Sequence, residues 1–348
     1  MSYFQQFGGA IKAHHKKQFA SSENWDGNKF LNFEETALEF TWSGAGELMR
    51  KQLFERKIKE PQKPIPYLPY DKAAFHSPSG KMKAIWYGHS VVKLRINDNT
   101  MLIDPMFGPN ASPIAPFATR RFSENTISLI DDFDDIDLVL FTHDHYDHLD
   151  LMSMQKLKNK VRQYFVPLGF GRHLVQWGIP EDSITEFDWW DHKDFQGIEI
   201  TFTPTRHFSG RGLTDRFKSL WGGWVFKTGN ENIYFSGDGG YGHHFKEVGK
   251  KLGPFDFGFM ESGQYNENWH QLHLYPEESV QAAKDAGVFK VMPVHWAGFA
   301  LAPHDWKEPV NRFVAAAEEA SLPVIYPEIG AIFSISDNPD KRWWTGLS

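Results

Sequence analysis

The 348-residue chain contains no cysteine, which removes disulfides, thiolate metal sites and a cysteine nucleophile together. It has no surplus of positive charge: 37 Lys and Arg against 44 Asp and Glu leave a formal net charge of −7. Nucleic acid is therefore not expected as a partner. No apolar run reaches the roughly 20 residues of a membrane-spanning helix, and the N-terminus lacks the basic and apolar regions of a secretory signal. The sequence thus predicts a soluble, cytoplasmic protein, with peripheral membrane contact left open. Internal repeats and low-complexity tracts are also missing.

Apolar residues are plentiful, with 41% of the chain enough for a sizeable core. The first 75 residues carry little pattern. Lys12, Lys16 and Lys17 with His14 and His15 form a basic patch beside Phe4, Phe7 and Ile11. This reads as a solvated, partly frayed N-terminus, a membrane-surface contact being the other reading. Glu47 to Lys59 has the composition of a charged helix, and the Pro-rich stretch from Glu60 to Pro69 that follows predicts an extended connector. Beyond Lys81 the pattern changes. Strands are predicted at Met82–Tyr87, Ser90–Ile96, Thr100–Ile103, Ile136–Phe141, Gln163–Val166, Ile198–Thr203, Trp224–Thr228, Asn232–Phe235, Phe289–Val294, Val324–Tyr326 and Ala331–Ile335. Helices are predicted at Leu151–Leu157, Phe170–Trp177, Pro276–Ala286 and Pro309–Ala320. Such a mixture suggests two sheets packed together and covered by helices, an α/β protein.

The chemistry is concentrated where the strand Ile136–Phe141 ends. There Thr142-His143-Asp144-His145-Tyr146-Asp147-His148 places three His and an Asp in the pattern H-x-H-x-D-H. Imidazole nitrogen and carboxylate oxygen are ligands for zinc and similar ions, so this is a metal-binding pattern. His207, Asp238 and His295 each follow another predicted strand. Strand ends that converge on one rim would bring them to the same place. His143, His145 and His207 would hold one ion; Asp147, His148 and His295 a second; Asp238 would bridge the two. Paired ions can activate a water and neutralise charge at a phosphoryl or acyl centre. Donor types favour two zinc ions, with manganese or iron compatible with the same set.

These residues resemble those of the metallo-β-lactamase superfamily. Within it, longer segments are similar to the N-acyl-phosphatidylethanolamine-hydrolysing phospholipase D family. They include Tyr87-Gly88-His89-Ser90, Asp104-Pro105-Met106-Phe107, Leu220-Trp221-Gly222-Gly223-Trp224, Gly237-Asp238-Gly239-Gly240 and His295-Trp296-Ala297-Gly298-Phe299-Ala300-Leu301. Gly239 stands where that family commonly has threonine. The resemblance spans about residues 80 to 310. It implies a four-layer αβ/βα sandwich, residues 1–75 forming an N-terminal extension and residues 76–348 the hydrolase domain. It also implies the seven ligands named above, zinc as the metal, and a substrate-facing His273. The activity implied is phosphodiester hydrolysis of phospholipase D type, releasing phosphatidic acid and an N-acylethanolamine from a phospholipid. Asp147, Asp238 and His273 are the catalytic set, Asp147 orienting the attacking water or carrying its proton. A lactonase-type hydrolase of a sugar-phosphate and a non-enzymatic metal-stabilised binding protein are the alternatives.

Supporting roles are less defined. Asp104 and His89 are placed to brace ligand residues, Asp104 having an Asp-Pro turn as its competing explanation. His243 and His244 either line the site or lie exposed. Trp189, Trp190, Phe217, Leu220, Trp221 and Trp224 would suit a lipid groove or the core. Arg206, Arg211, Arg216 and Lys218 are candidates for pairing with a phosphate.

Overall fold

Met101, Leu102 and Ile103 are adjacent and fully buried, yet they enter different cores. Side chains alternate across a strand, so a strand covered on both faces must be apolar at every position. In the computed structural model, which describes residues 3–36, 59–112, 119–212, 214–338 and 341–348, this doubling runs through both sheets.

The strands are β1 (Lys83–Trp86), β2 (Val92–Ile96), β3 (Asn99–Ile103), β4 (Ile136–Leu140), β5 (Val161–Pro167) and β6 (Ile184–Phe187). They continue with β7 (His192–Phe195), β8 (Ile198–Thr203), β9 (Gly223–Lys227), β10 (Asn232–Phe235), β11 (Phe257–Glu261), β12 (Val291–Val294) and β13 (Ile332–Ser334). The helices are α1 (Ala13–Phe19), α2 (Lys72–His76), α3 (Leu129–Asp132), α4 (Leu151–Leu157), α5 (Gly171–Gln176), α6 (His244–Leu252), α7 (Pro276–Ala286) and α8 (Glu308–Glu319). One sheet has the order β13-β1-β2-β3-β4-β5-β6 and the other β12-β11-β10-β9-β8-β7.

Three apolar clusters separate four layers. Between the sheets lie Met101, Ile103, Leu138, Leu140 and Phe165 from one side and Trp224, Phe226, Ile233, Phe235 and Phe259 from the other. On the outer face of the first sheet, Leu102, Val139 and Tyr164 meet Leu151, Met154 and Leu157 of α4 and Leu174 of α5. On the outer face of the second, Val225, Tyr234 and Met260 meet α6, α7 and α8 through Phe245, Val280, Ala283 and Phe313. This is the α/β four-layer αβ/βα sandwich. Proline at the start of α7 and left-handed Gly287 at its C-cap fix the limits of that helix as the sequence predicts.

Several expectations need correction. Val324–Tyr326 forms no strand; Val324 makes a single bridge to Val291. Phe289 lies ahead of β12 and is 63% exposed. The N-terminal segment is packed, not solvated. Phe19 and Phe30 are fully buried, with Trp25 against both rings, and the carbonyls of Gln5, Gln6 and Gly9 accept from Trp177, Arg211 and Arg172. Lys12, Lys16 and Lys17 remain exposed. The connector from Glu60 runs extended, Ile65 and Leu68 donating to Phe122 and Ile329. The predicted helix from Glu47 lies outside the described residues apart from Lys59.

One buried charge tests the packing. Lys93 of β2 faces the helices beside Ile85 and Leu102, its ammonium 3.8, 4.1 and 4.9 Å from the ring centres of Tyr70, Phe133 and Phe75. Burial lowers its pKa to about 7 from 10.5, against a weaker upward pull from Asp134. The folded value lies below the unfolded one, so the cost of holding this charge is full below pH 7. It fades as pH rises towards 10.5. Lys93→Met should therefore stabilise the protein at pH 7 by about 1–2 kcal/mol, the ring faces having already offset part of the cost. The gain should shrink by pH 10; a pH-independent gain in thermal unfolding would contradict this account.

Candidate metal centre

The site sits where strands from both sheets end. β4 is followed by the histidine motif, β8 by His207, β10 by Asp238, β11 ends in Glu261, and β12 is followed directly by His295. The motif loop stops at Asp150, whose carboxylate accepts from Met152 and Ser153 N–H and caps α4. The capping duty thus falls to Asp150, leaving the other residues free for the site. His89 (φ 55°), Asp104 (φ 43°) and His295 (φ 69°), whose side chains all turn towards this site, have left-handed backbone without being glycine. Each such turn costs roughly 1–3 kcal/mol, and here all three aim side chains at one point. His89 and the His295–Trp296 segment hold each other by backbone hydrogen bonds of 2.7 and 2.9 Å, tying β1 to β12 across the sheets. Gly237 is required where it stands: it has φ +66°, and a Cβ there would lie 2.3 Å from the Gly222 carbonyl.

All seven predicted ligands come together. His143 Nε2 lies 2.8 Å from His145 Nδ1, and His207 Nε2 lies 3.3 Å from the same atom. Those three nitrogens form one group able to hold an ion. Asp147 Oδ2 lies 3.4 Å from both His148 Nε2 and His295 Nε2 in a second group, which also takes in His89. Asp238 Oδ2 is 3.1 Å from His148 Nε2 and 2.9 Å from His295 Nε2, and Asp238 also groups with His143 and with His207. That is a bridging position.

The partners behind the ligands show what faces inward. His148 Nδ1 is 2.8 Å from Asp104 Oδ2, which also accepts from the Thr142 hydroxyl at 2.6 Å, while Oδ1 takes the Thr142 N–H. His295 Nδ1 is 3.2 Å from Glu261 Oε1, and His207 Nδ1 is 3.0 Å from the Leu272 carbonyl. With each Nδ1 spent as a donor, each neutral ring turns an Nε2 lone pair inward. For His148 and His295 that lone pair meets the Asp238 carboxylate, acceptor against acceptor. A cation between them resolves the conflict, so the donor set fits a metal centre.

Electrostatics agree. Burial, with His148, His145 and His207 close by, holds His143 well below the ordinary imidazole range, and burial lowers His145 to about 4. Burial opposes ionising Asp147 and Asp238, but His148 and His295 outweigh it and keep both carboxyls well below their usual range. For His148 burial is in turn outweighed by Asp238, Asp147 and Asp104, and for His295 by Asp238, Asp147 and Glu261, so both pKa values rise well above the usual one. The carboxylates demand a positive charge at this point, which a proton on Nε2 supplies where no ion is bound.

A cavity of about 510 Å³ opens over the cluster. Its lining combines His145, Asp147, Asp238, His273 and His295 with Phe208, Trp269, Leu272 and Leu301, and Arg216 also faces it. His273 is stacked on His295 at 5.2 Å, and its Nδ1 lies 3.1 Å from Glu261 Oε1, leaving Nε2 as its free ring nitrogen. His89 Nε2 lies 2.9 Å from Asp147 Oδ2. Asp104 and His89 therefore brace ligands, as their positions suggest.

Other expectations fare differently. The walls do not come from the tryptophan-rich segments: Leu220, Trp221 and Trp224 are fully buried and Trp189 nearly so. His243 is exposed and His244 buried, neither facing the cavity. Arg206 donates to Glu35, Tyr241 and Gln271, Lys218 to Asn28. Arg211 clamps the motif loop through the carbonyls of Asp144 at 2.7 Å and Leu149 at 2.8 Å. Glu261 escaped sequence reasoning altogether. Its signal was a lone acid at the end of an apolar stretch, easily read as the first exposed residue. Asp144, between two ligands, is buried and accepts from Ser219, His173 and Gly210, fastening the loop from behind.

A family described as the Beta-lactamase superfamily domain matches residues 99–296. An uncharacterised Mycobacterium tuberculosis protein is 35% identical over 324 residues, covering 92% of this chain and 86% of that protein. The Caenorhabditis elegans N-acyl-phosphatidylethanolamine-hydrolyzing phospholipase D 1 is 29% identical over 300 residues, covering 81% and 83%. Among solved structures, a metallo hydrolase from Ignicoccus hospitalis superposes with a TM-score of 0.56 at 19% identity, over 73% of this chain and 97% of that one. By the family match and by similarity along nearly its whole length, the chain belongs to the metallo-β-lactamase superfamily, as one of its metal-dependent hydrolases.

Proposed function

We propose that the protein is a dinuclear, zinc-dependent phosphodiesterase of phospholipase D type acting on N-acyl-phosphatidylethanolamine-like phospholipids. The observation that carries this reading is the cavity, whose apolar walls of Phe208, Trp269, Leu272 and Leu301 rise directly above the paired ligand groups. A polar pocket would have favoured the lactonase reading. The worm relative's name supports a phospholipid with an acylated headgroup as the class to test. Among the described residues no helix is long and apolar enough to cross a membrane.

The residues divide the work. His143, His145 and His207 would hold one ion and Asp147, His148 and His295 the other, with Asp238 between them. Bound there, two ions would supply an activated water and neutralise the charge that builds on phosphorus. Asp147, held by His89 at 2.9 Å, would orient the attacking water or take up its proton. His273, with Nδ1 committed to Glu261, would give a proton from Nε2 to the departing oxygen on the cavity side when it is present as the imidazolium, both ring nitrogens then being donors. Asp104 and Glu261 fix the tautomers of His148 and His295.

Product analysis by mass spectrometry tests the reading. Zinc-reconstituted protein incubated with N-acyl-phosphatidylethanolamine in mixed micelles should release phosphatidic acid and N-acylethanolamine. No turnover from a sample holding two ions per chain would remove the lipid assignment, and a panel of lactones and simple phosphodiesters would then locate the hydrolase activity.

A further inference from the structure

Building on the phosphodiesterase reading but not on its choice of lipid, we propose that Arg216 favours, over N-acyl-phosphatidylethanolamine with its single anionic group, substrates that carry a second one, a phosphate or carboxylate, beyond the ester that reaches the metal ligands. Apart from imidazoles, Arg216 is the one basic side chain lining the cavity among the described residues. Its basic neighbours are committed elsewhere, Arg206 and Arg211 to carbonyls of the fold and Lys218 to Asn28. Arg216 itself has neither a side-chain hydrogen bond nor an ion pair within the described residues. The adjacent carboxylate, Asp215, accepts instead from the N–H groups of Arg211 and Gly212 and lies 3.7 Å from Arg172.

What holds the guanidinium is aromatic. It lies 4.7 Å from the ring centre of Phe208 and 5.4 Å from that of Phe217. Ring faces position a guanidinium without using its five N–H donors, so its hydrogen-bonding capacity is left for a ligand. Phe208 in turn packs on two metal-ligand rings, 4.4 Å from His145 and 5.0 Å from His207. Arg216 is thus one ring removed from the ligands and addresses a part of the substrate beyond the reacting phosphorus. The loop is shaped for this approach: Gly210 has φ +144°, and a Cβ there would stand 3.0 Å from Arg216 Cα. A planar fork of donors beside apolar walls suits a phosphate or carboxylate oxygen pair.

Calorimetric titration of the zinc-loaded protein with non-hydrolysable alkyl phosphonate monoesters tests this. The esters share one chain and end in a carboxylate, a phosphate or a neutral amide. The parent should bind at least one anionic ester about tenfold or more tighter than the amide, and the two anionic arms identify the preferred group. Arg216→Ala should abolish that preference, and Arg216→Lys should keep part of it. Equal binding of all three esters by the parent, or an unchanged preference in Arg216→Ala, would overturn the proposal. So would an equal loss for all three, which would place Arg216 on the shared phosphonate. Whether the matching phosphate diesters are hydrolysed is read separately: an intact charge preference without turnover would sink the phosphodiesterase reading alone.

Discussion

Asp238→Ala should lower hydrolysis by on the order of 1,000-fold or more, whatever the substrate. Among the described residues Asp238 is the one carboxylate that groups with ligands of both sets, meeting His148 and His295 at 3.1 and 2.9 Å and grouping also with His143 and His207. Removing it takes a shared ligand from both positions at once. A partner behind a ligand typically costs 10–100-fold, and a bridging ligand must cost more. The variant should also bind less metal, because no other described acid stands between the two groups. Metal analysis and steady-state rates on the same sample check both points. Two retained ions with more than about a tenth of parental activity would contradict the bridging role.

Glu261→Gln should reduce activity about 10–100-fold and weaken metal binding over a similar range, although Glu261 is not one of the seven assigned ligands. Glu261 is fully buried, and one of its oxygens serves Nδ1 of both His273 and His295 while the other takes the Leu274 N–H at 2.9 Å. An amide replaces one of these acceptors with a donor and sets N–H against N–H in a buried place. The effect should divide in a recognisable way. His273→Ala removes only the cavity-facing ring, so its turnover should fall with both ions retained. Glu261→Gln should lose turnover and metal together. Matching behaviour in the two variants, with metal content untouched, would reduce Glu261 to a support for His273.

That these seven residues would come together was legible in the sequence because metal chemistry tolerates few residue types and because β4, β8, β10 and β12 are buried on both faces. Their apolar runs mark where each ligand begins. β11 was missed for the converse reason: Gly258 and Glu261 interrupt its run, although all five residues are buried. Glu261 was lost with it. β6 and β7 are sheet edges with much of their surface exposed, so the apolar pattern fades there. The cavity walls were the least visible. Trp221 and Trp224 look the same in sequence as Trp269, and only packing shows that the first two fill the core while the third lines the cavity. The N-terminal segment hides its role similarly. Its carbonyls from Gln5 to Gly9, which any sequence would supply, are what Trp177, Arg211 and Arg172 bind.

Counting metal tests the central claim most directly. Elemental analysis of the reconstituted protein, beside His145→Ala and His295→Ala, addresses the two positions separately. The account predicts about two equivalents in the parent and about one in each variant, one residue coming from each ligand group. A parent holding one ion or none, or variants that both keep two, would contradict a dinuclear centre built from these residues.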